Sequence, residues 1–220
     1  MHHPHPWNLT PEQAVALQRR LARLVREAPL PPERIRTVAG VDVGFPSPET
    51  ARAAIAVLSF PDLEVVDRGV AQVPTPMPYV PGLLSFREIP AILAALQALR
   101  VRPDVFLVDG QGIAHPRGLG IAAHLGVLLD WPTVGVAKSP LVGRPAGALG
   151  EERGSAVPLV YRGRQVGMVV RTRTGVKPVW VSVGHRVDLS SAVDLVLRTA
   201  PRYRLPEPIR AAHRLASGSS

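Results

Sequence analysis

The order of β-rich and helical patterning along the chain restricts its fold more than any other feature. Three β-rich runs come first, residues 37–45 (TVAGVDVGF), 53–60 and 63–73, parted only by the turn sequences Pro46-Ser47-Pro48 and Pro61-Asp62. Connections that short join antiparallel neighbours and cannot join parallel ones. The pattern then changes. Residues 105–108 read as a short apolar strand, 119–129 as an almost wholly apolar helix and 133–137 as another strand. A strand-helix-strand unit sets its two strands parallel. Both halves fit one chain only as an α/β fold with a central mixed β-sheet flanked by helices.

The remaining segments extend that scheme. Thr10-Pro11-Glu12-Gln13 has the composition of a capping box, with proline at the first helical position, and Ala14, Leu17, Leu21, Leu24 and Val25 follow at helical spacing. Pro29-Leu30-Pro31-Pro32 stops that helix. Residues 84–99 read as a second helix, 158–170 as a hairpin turning at Arg162-Gly163, and 179–183 as a further strand. Asp188 can cap a helix over 189–198, and 206–215 gives the last one. No repeat and no linker divides the 220 residues, so a single domain over 1–220 is expected, with 1–6 and 214–220 as flexible tails.

Several classes of function fall away on composition. No apolar run approaches the ~18 to 20 residues of a membrane span, and no basic segment precedes an apolar one at the N-terminus. With no Cys there is no disulfide, no thiol nucleophile and no thiolate metal site; a cytoplasmic setting is the natural expectation. Lys and Arg total 26 against 17 Asp and Glu, a formal charge of +9, which points to a polyanionic partner. Only Lys138 and Lys177 are lysines. In so arginine-rich a chain, a retained lysine suggests a position that needs a compact ammonium, although chance explains either one alone equally well.

Three acids stand where a carboxylate is costly to bury. Asp42 interrupts an apolar strand, Asp109 ends the strand VFLV, and Glu88 opens a hydrophobic helix. A hard cation could serve several of them at once, since Mg²⁺ takes carboxylate oxygens together with waters and substrate phosphates, and such open carboxylate sites hydrolyse phosphodiesters. Plainer readings stand beside this one. Ser85 and Glu88 have capping-box spacing, and Asp109-Gly110 could cap a turn.

Two loops are unusual. The segment from Gly110 to Gly118 is glycine-rich and lies between a strand and a helix, yet it lacks the third glycine of a dinucleotide fingerprint, and the chain has no Walker sequence. So much accessible backbone could hold a flat base by amide contacts. Tyr79 is held between Pro78 and Val80-Pro81, and a stiffened aromatic of this kind can wedge between bases, or simply pack beneath a surface loop.

Taken together, VAGVDVGF around Asp42, PYVPGLLSFRE from Pro78, VDGQGIAHPRGLGIAAH from Val108, PTVGVAKSPL from Pro132, VSVGHRVDLSSA from Val181 and RLPEPIRAAH ending at His213 closely resemble the endonuclease V family of DNA repair nucleases. The resemblance runs from about Trp7 to His213. It implies a ribonuclease H-like fold and a Mg²⁺-dependent endonuclease, with Mn²⁺ able to substitute. The implied substrate is DNA containing deoxyinosine, the product of adenine deamination, nicked at the second phosphodiester bond 3′ to the flipped lesion to leave 3′-OH and 5′-phosphate.

By motif position, Asp42, Glu88 and Asp109 match the family's catalytic carboxylates, with Asp42 and Asp109 on the metal. Lys138 matches its catalytic lysine, and His213 a position that assists a metal or its water. Pro78, Tyr79, Val80 and Pro81 match the strand-separating wedge, and Gly82, Leu84, Gly110, Gly112 and His115 the lesion-base pocket. A monomer is expected. An endoribonuclease cutting inosine-containing RNA on the same site is the near alternative. A non-catalytic binder of distorted DNA is the alternative from another class, and the pocket segments disfavour a polynucleotide transferase.

Overall fold

In the computed structural model, which describes residues 1–218, β1 (Thr37–Ser47), β2 (Thr50–Ser59) and β3 (Val65–Pro74) form the antiparallel opening. Next come α2 (Leu84–Leu96), β4 (Val105–Asp109), α3 (Ile121–Leu129) and β5 (Thr133–Ala137), preceded in the chain by α1 (Pro11–Ala22). β1, β4 and β5 are mutually parallel neighbours. The chain then adds β6 (Arg144–Pro145), β7 (Ala156–Tyr161), β8 (Arg164–Val170) and β9 (Val179–His185), and ends in α4 (Leu189–Thr199) and α5 (Glu207–Ala216). The nine strands lie in the order β3-β2-β1-β4-β5-β9-β8-β7-β6, the mixed, ribonuclease H-like sheet expected from the sequence.

Strand residues alternate between two cores, as the two-residue period of a pleated strand requires. Ala39, Val41, Phe106 and Val108 meet Ile89, Ile92, Leu125 and Leu128 of α2 and α3. Val38, Val105, Leu107, Val134 and Val136 meet Leu195, Val196 and Ile209 of α4 and α5. Because both faces are covered, the central strands are nearly continuous apolar runs, and a carboxylate within one is conspicuous.

Local signals decide the element ends. Thr10 and Gln13 form the reciprocal capping box of α1, Asp188 caps α4 through the Ser191 N–H, and the β7-β8 hairpin turns at Arg162-Gly163. Some details differ from the sequence expectation. A short 3-10 turn occupies Pro32–Arg34, and the glycine-rich stretch after Gly143 contributes the two-residue β6. Pro90 sits at the seventh position of α2, past the turn where proline is free of cost, and Ile89, Ala91 and Ile92 around it are fully buried, so packing outweighs the lost helical bond. Within the first six residues the His2 N–H donates to the Leu128 carbonyl at 2.8 Å and His5 Nε2 bonds His124 Nε2 at 2.9 Å. Of the expected tail 214–220, Arg214 to Ala216 belong to α5, and residues 219–220 lie outside the described residues. Among the described residues no helix is long and apolar enough to cross a membrane.

Candidate active site

Asp42, Asp109 and Lys138 come together where the parallel pairing of β1, β4 and β5 stops, at Val41 in β1, which itself runs on to Ser47, and at the ends of β4 and β5. Val41 pairs with Val108 across β1 and β4, and Asp109 pairs with Val136 across β4 and β5, so Asp42 and Asp109 follow each other along one edge and Lys138 emerges just past the end of β5. The carboxyl ends of parallel strands are where open α/β sheets bind ligands. Lys138 Nζ donates to Asp109 Oδ2 at 2.5 Å, from a side chain that is 44% exposed against 11% for the acid.

His213 reaches Asp42 from the other side of the sheet edge. Residues 40, 42 and 44 of β1 face α5, and two of them are glycine. A Cβ on Gly40 would stand 1.9 Å from the Pro208 carbonyl oxygen, so only glycine lets α5 lie this close. The close approach brings His213 Nδ1 to 2.7 Å from Asp42 Oδ2.

Glu88 projects from the second turn of α2 and is 7% exposed. Burial, with the charges of Asp42 and Asp109 adding to it, pushes its carboxyl up to about 8 against a smaller opposing effect of Arg87. Asp109 is also raised, by burial, although Lys138 pulls it back down. The capping-box reading of Ser85 and Glu88 does not hold, since α2 has no side-chain cap and Ser85 Oγ instead bonds His124 Nδ1 at 2.9 Å.

The charges of Asp42 and Asp109 raise the proton affinity of Glu88, and that of Asp42 raises Asp109, so the site favours a cation. Their donor set is all hard oxygen. Among the described residues no group of three or more His, Asp or Glu side chains is placed to hold a metal ion by itself. The all-oxygen donor set suits Mg²⁺, which takes one or two carboxylates and keeps waters and phosphate oxygens for the rest of its shell.

Beside these groups lies a cavity of about 330 Å³ whose lining includes Tyr79, Gly82, Leu84, Asp109, Gly110 and His115, with Lys138 at one side. Five of the residues assigned to wedge and pocket therefore share one cavity with two of the catalytic candidates. Tyr79 is 63% exposed, which sets aside the alternative of a tyrosine packed beneath its loop. Val80 packs toward the cluster formed by α1 and α3, and Pro78 and Pro81 flank the loop without lining the cavity. Gly112 is turned away, its N–H donating to Ser182 Oγ at 2.8 Å.

His115 is buried, and burial, followed by the charge of Arg117, holds it down to about 4. The ring is thus neutral, and its partners fix the tautomer. Nε2–H donates to the Gly82 carbonyl at 3.0 Å while Nδ1 accepts from the Arg117 N–H at 3.2 Å. Ser85, Gln111, Ile121 and the loop from Ser139 to Leu141 also line the cavity and carry no signal in the sequence that would have singled them out.

Comparison with known proteins agrees with this geometry. The profile of the endonuclease V family matches residues 19–214. The Endonuclease V of Trichormus variabilis is 55% identical over 218 residues, 99% of this chain and 98% of that protein. Among solved structures, the Endonuclease V of Streptomyces avermitilis has 46% identity and a TM-score of 0.93, covering 98% of this chain and 95% of its own. The Endonuclease V of Ciona intestinalis, in complex with a 23mer DNA containing an inosine followed by a ribo-adenosine, has 28% identity and a TM-score of 0.83, covering 96% and 98%.

Proposed function

Since the chain belongs to the endonuclease V family and is a nuclease, we propose that it is a Mg²⁺-dependent DNA repair endonuclease that flips deoxyinosine out of the duplex and nicks the second phosphodiester bond on its 3′ side. The observation that carries this reading is the meeting of Asp42, Asp109, Lys138 and a nearly buried Glu88 where the parallel pairing of the central strands stops, beside a cavity rimmed by an exposed Tyr79.

Mg²⁺ held by Asp42 and Asp109, with Glu88 completing its water shell, would supply charge neutralisation at the scissile phosphate and activation of the attacking water. Lys138 presents a point charge that can leave Asp109 for a phosphate oxygen as DNA enters. His213 fixes the rotamer of Asp42 through their hydrogen bond. Tyr79, stiffened by its flanking prolines, fills the gap left by the flipped nucleotide. A flipped hypoxanthine offers an N1–H donor and an O6 acceptor to backbone groups of the cavity, and adenine offers the opposite pattern, so an undamaged site is rejected. The arginine-rich surface behind the +9 charge supplies sequence-blind attraction to the duplex.

A labelled duplex carrying one deoxyinosine, incubated with Mg²⁺, tests the proposal. A single nick at the second bond 3′ to the lesion, with 5′-phosphate and 3′-OH ends, is expected. No nick with either Mg²⁺ or Mn²⁺, or equal nicking of undamaged duplex, counts against it. Retention of Mg²⁺-dependent nicking by both Asp42→Ala and Asp109→Ala would remove the metal assignment. The Ciona complex, in which a ribo-adenosine follows the inosine, favours a second reading, an inosine-directed endoribonuclease on the same residues. Cleavage rates on matched deoxyinosine and inosine strands separate the two.

A further inference from the structure

Gln18 lies in α1, outside every segment to which the site chemistry has been assigned, and is 1% exposed. Its carboxamide is fully engaged. Nε2–H donates to the Gly82 carbonyl at 2.9 Å and to the Leu119 carbonyl at 3.4 Å, and Oε1 accepts from Arg117 Nε at 2.5 Å. Arg117 Nη2 donates to the same Gly82 carbonyl at 2.7 Å, as His115 Nε2 does at 3.0 Å. Three donors from two distant parts of the chain therefore converge on one carbonyl oxygen.

The residue so held is the one that follows the wedge. Gly82 has φ +77, and a Cβ there would come within 2.7 Å of Arg117 Nη2. From Thr75 to Gly82 the backbone hydrogen bonds are few, Thr75 N–H to the Glu49 carbonyl and the Val80 carbonyl from Leu83 N–H. The Gly82 carbonyl is thus the main polar anchor between the Tyr79 loop and the body of the protein. Its donors come from α1 and from the segment that leaves Asp109, so the clamp ties the wedge to the strand end that carries a catalytic carboxylate.

We propose that Gln18 is a positioning residue for lesion recognition, orienting Arg117 and holding the Gly82 peptide so that Tyr79 and the cavity rim stand at a fixed place relative to Asp109; this rests on the deoxyinosine-nicking reading above. The role needs one planar group with an acceptor for the guanidinium and a donor for the carbonyl. Glutamate keeps the acceptor but sets a negative charge against the Gly82 oxygen. Methionine supplies neither and leaves a half-buried guanidinium Nε without its partner.

The test uses full-length Gln18→Met and Gln18→Glu. Nicking of a deoxyinosine duplex is followed as KM and kcat, discrimination as the ratio of Kd for the adenine and deoxyinosine duplexes, and loop order as hydrogen exchange across residues 75–84 without DNA. Both variants are expected to raise KM more than they lower kcat, to lose about tenfold in discrimination, and to exchange faster across that loop. Discrimination within about twofold of wild type in both variants overturns the proposal, whatever the exchange shows, because a merely structural role lowers binding to both duplexes alike. Failure of the wild-type protein to nick the deoxyinosine duplex overturns the functional reading instead, and it is seen before any substitution is made.

Discussion

His213 and Asp42, 171 positions apart in the chain, are joined by a 2.7 Å hydrogen bond from Nδ1 to Oδ2. The bond exists because α5 lies almost on the backbone of β1, and that approach depends on the missing side chain at Gly40. A Cβ there would stand 1.9 Å from the Pro208 carbonyl oxygen, whereas at Gly44 the nearest atom, the Ala216 carbonyl oxygen, is 3.5 Å away.

Gly40→Ala is therefore expected to lower the melting temperature by about 5 °C or more through overpacking, and to lose activity as His213 moves off Asp42. Gly44→Ala, in ordinary van der Waals contact, should melt close to wild type. Thermal melts of the two variants decide the point, and equal melting temperatures would mean that α5 does not approach β1 as described.

Lys138→Arg should still bind the lesion duplex but lose about 10²-fold in single-turnover nicking, because a planar fork cannot replace a compact ammonium between Asp109 and a phosphate oxygen. Binding titrations and rapid-quench rates measure the two separately. A near-normal rate in the arginine variant would leave Lys138 as a mere ion-pair partner of Asp109.

Tyr79→Ala should leave the melting temperature unchanged, since the side chain is 63% exposed, and should lower the preference for deoxyinosine over adenine about tenfold through lost stacking. Competition between the two duplexes reads this directly. An undiminished preference would take the wedge role away from Tyr79.

The buried histidines make stability pH-dependent. His124 is fully buried, bonded to Ser85 Oγ and to His5 Nε2 at 2.9 Å each, and burial holds it well below its ordinary value, with His5 and His115 adding to the effect. His115 is held down to about 4. The unfolded chain therefore binds protons that the folded chain refuses, so the histidines' contribution to stability is fully present above pH ~6.5 and is lost as pH falls below it, by about 1.4 kcal/mol per pH unit for each, down to about 4 for His115. Glu88, pushed up to about 8, contributes in the opposite sense, gaining stability as pH falls toward its unfolded value. His124→Gln leaves that contribution in place, so from pH 6.5 to 5 the unfolding free energy of the variant in urea should rise relative to wild type by one histidine's worth, and between pH 8 and 6.5 the difference between the two proteins should stay constant. Parallel profiles would show that His124 does not stay neutral.

Much of the site was legible because an acid within an apolar strand demands a partner, and Asp42 and Asp109 announce themselves in that way. Glu88 was open to a capping-box reading, and only the engagement of Ser85 by His124 and the burial of Glu88 between two aspartates set that aside. Gly112 shows the opposite case, grouped with the pocket by motif yet hydrogen-bonded to Ser182 on β9. Gln18 did leave a trace. It occupies the buried stripe of α1 with Ala14, Leu17 and Leu21, and an uncharged polar residue on such a stripe needs a buried partner. The spacing says that a partner exists but cannot say that it is Gly82, 64 positions away.

By itself, then, the sequence determined the mixed sheet, because turn length dictates antiparallel pairing and a helical crossover dictates parallel pairing. It also determined the identities of the acids, the lysine and the stiffened tyrosine. Only the tertiary structure decided which of these share a cavity, which charges act on Glu88, and what holds the Tyr79 loop in place. Strand register, the close approach of α5 and the convergence of three donors on one carbonyl are contacts between residues far apart in the chain, and local patterning carries no record of them.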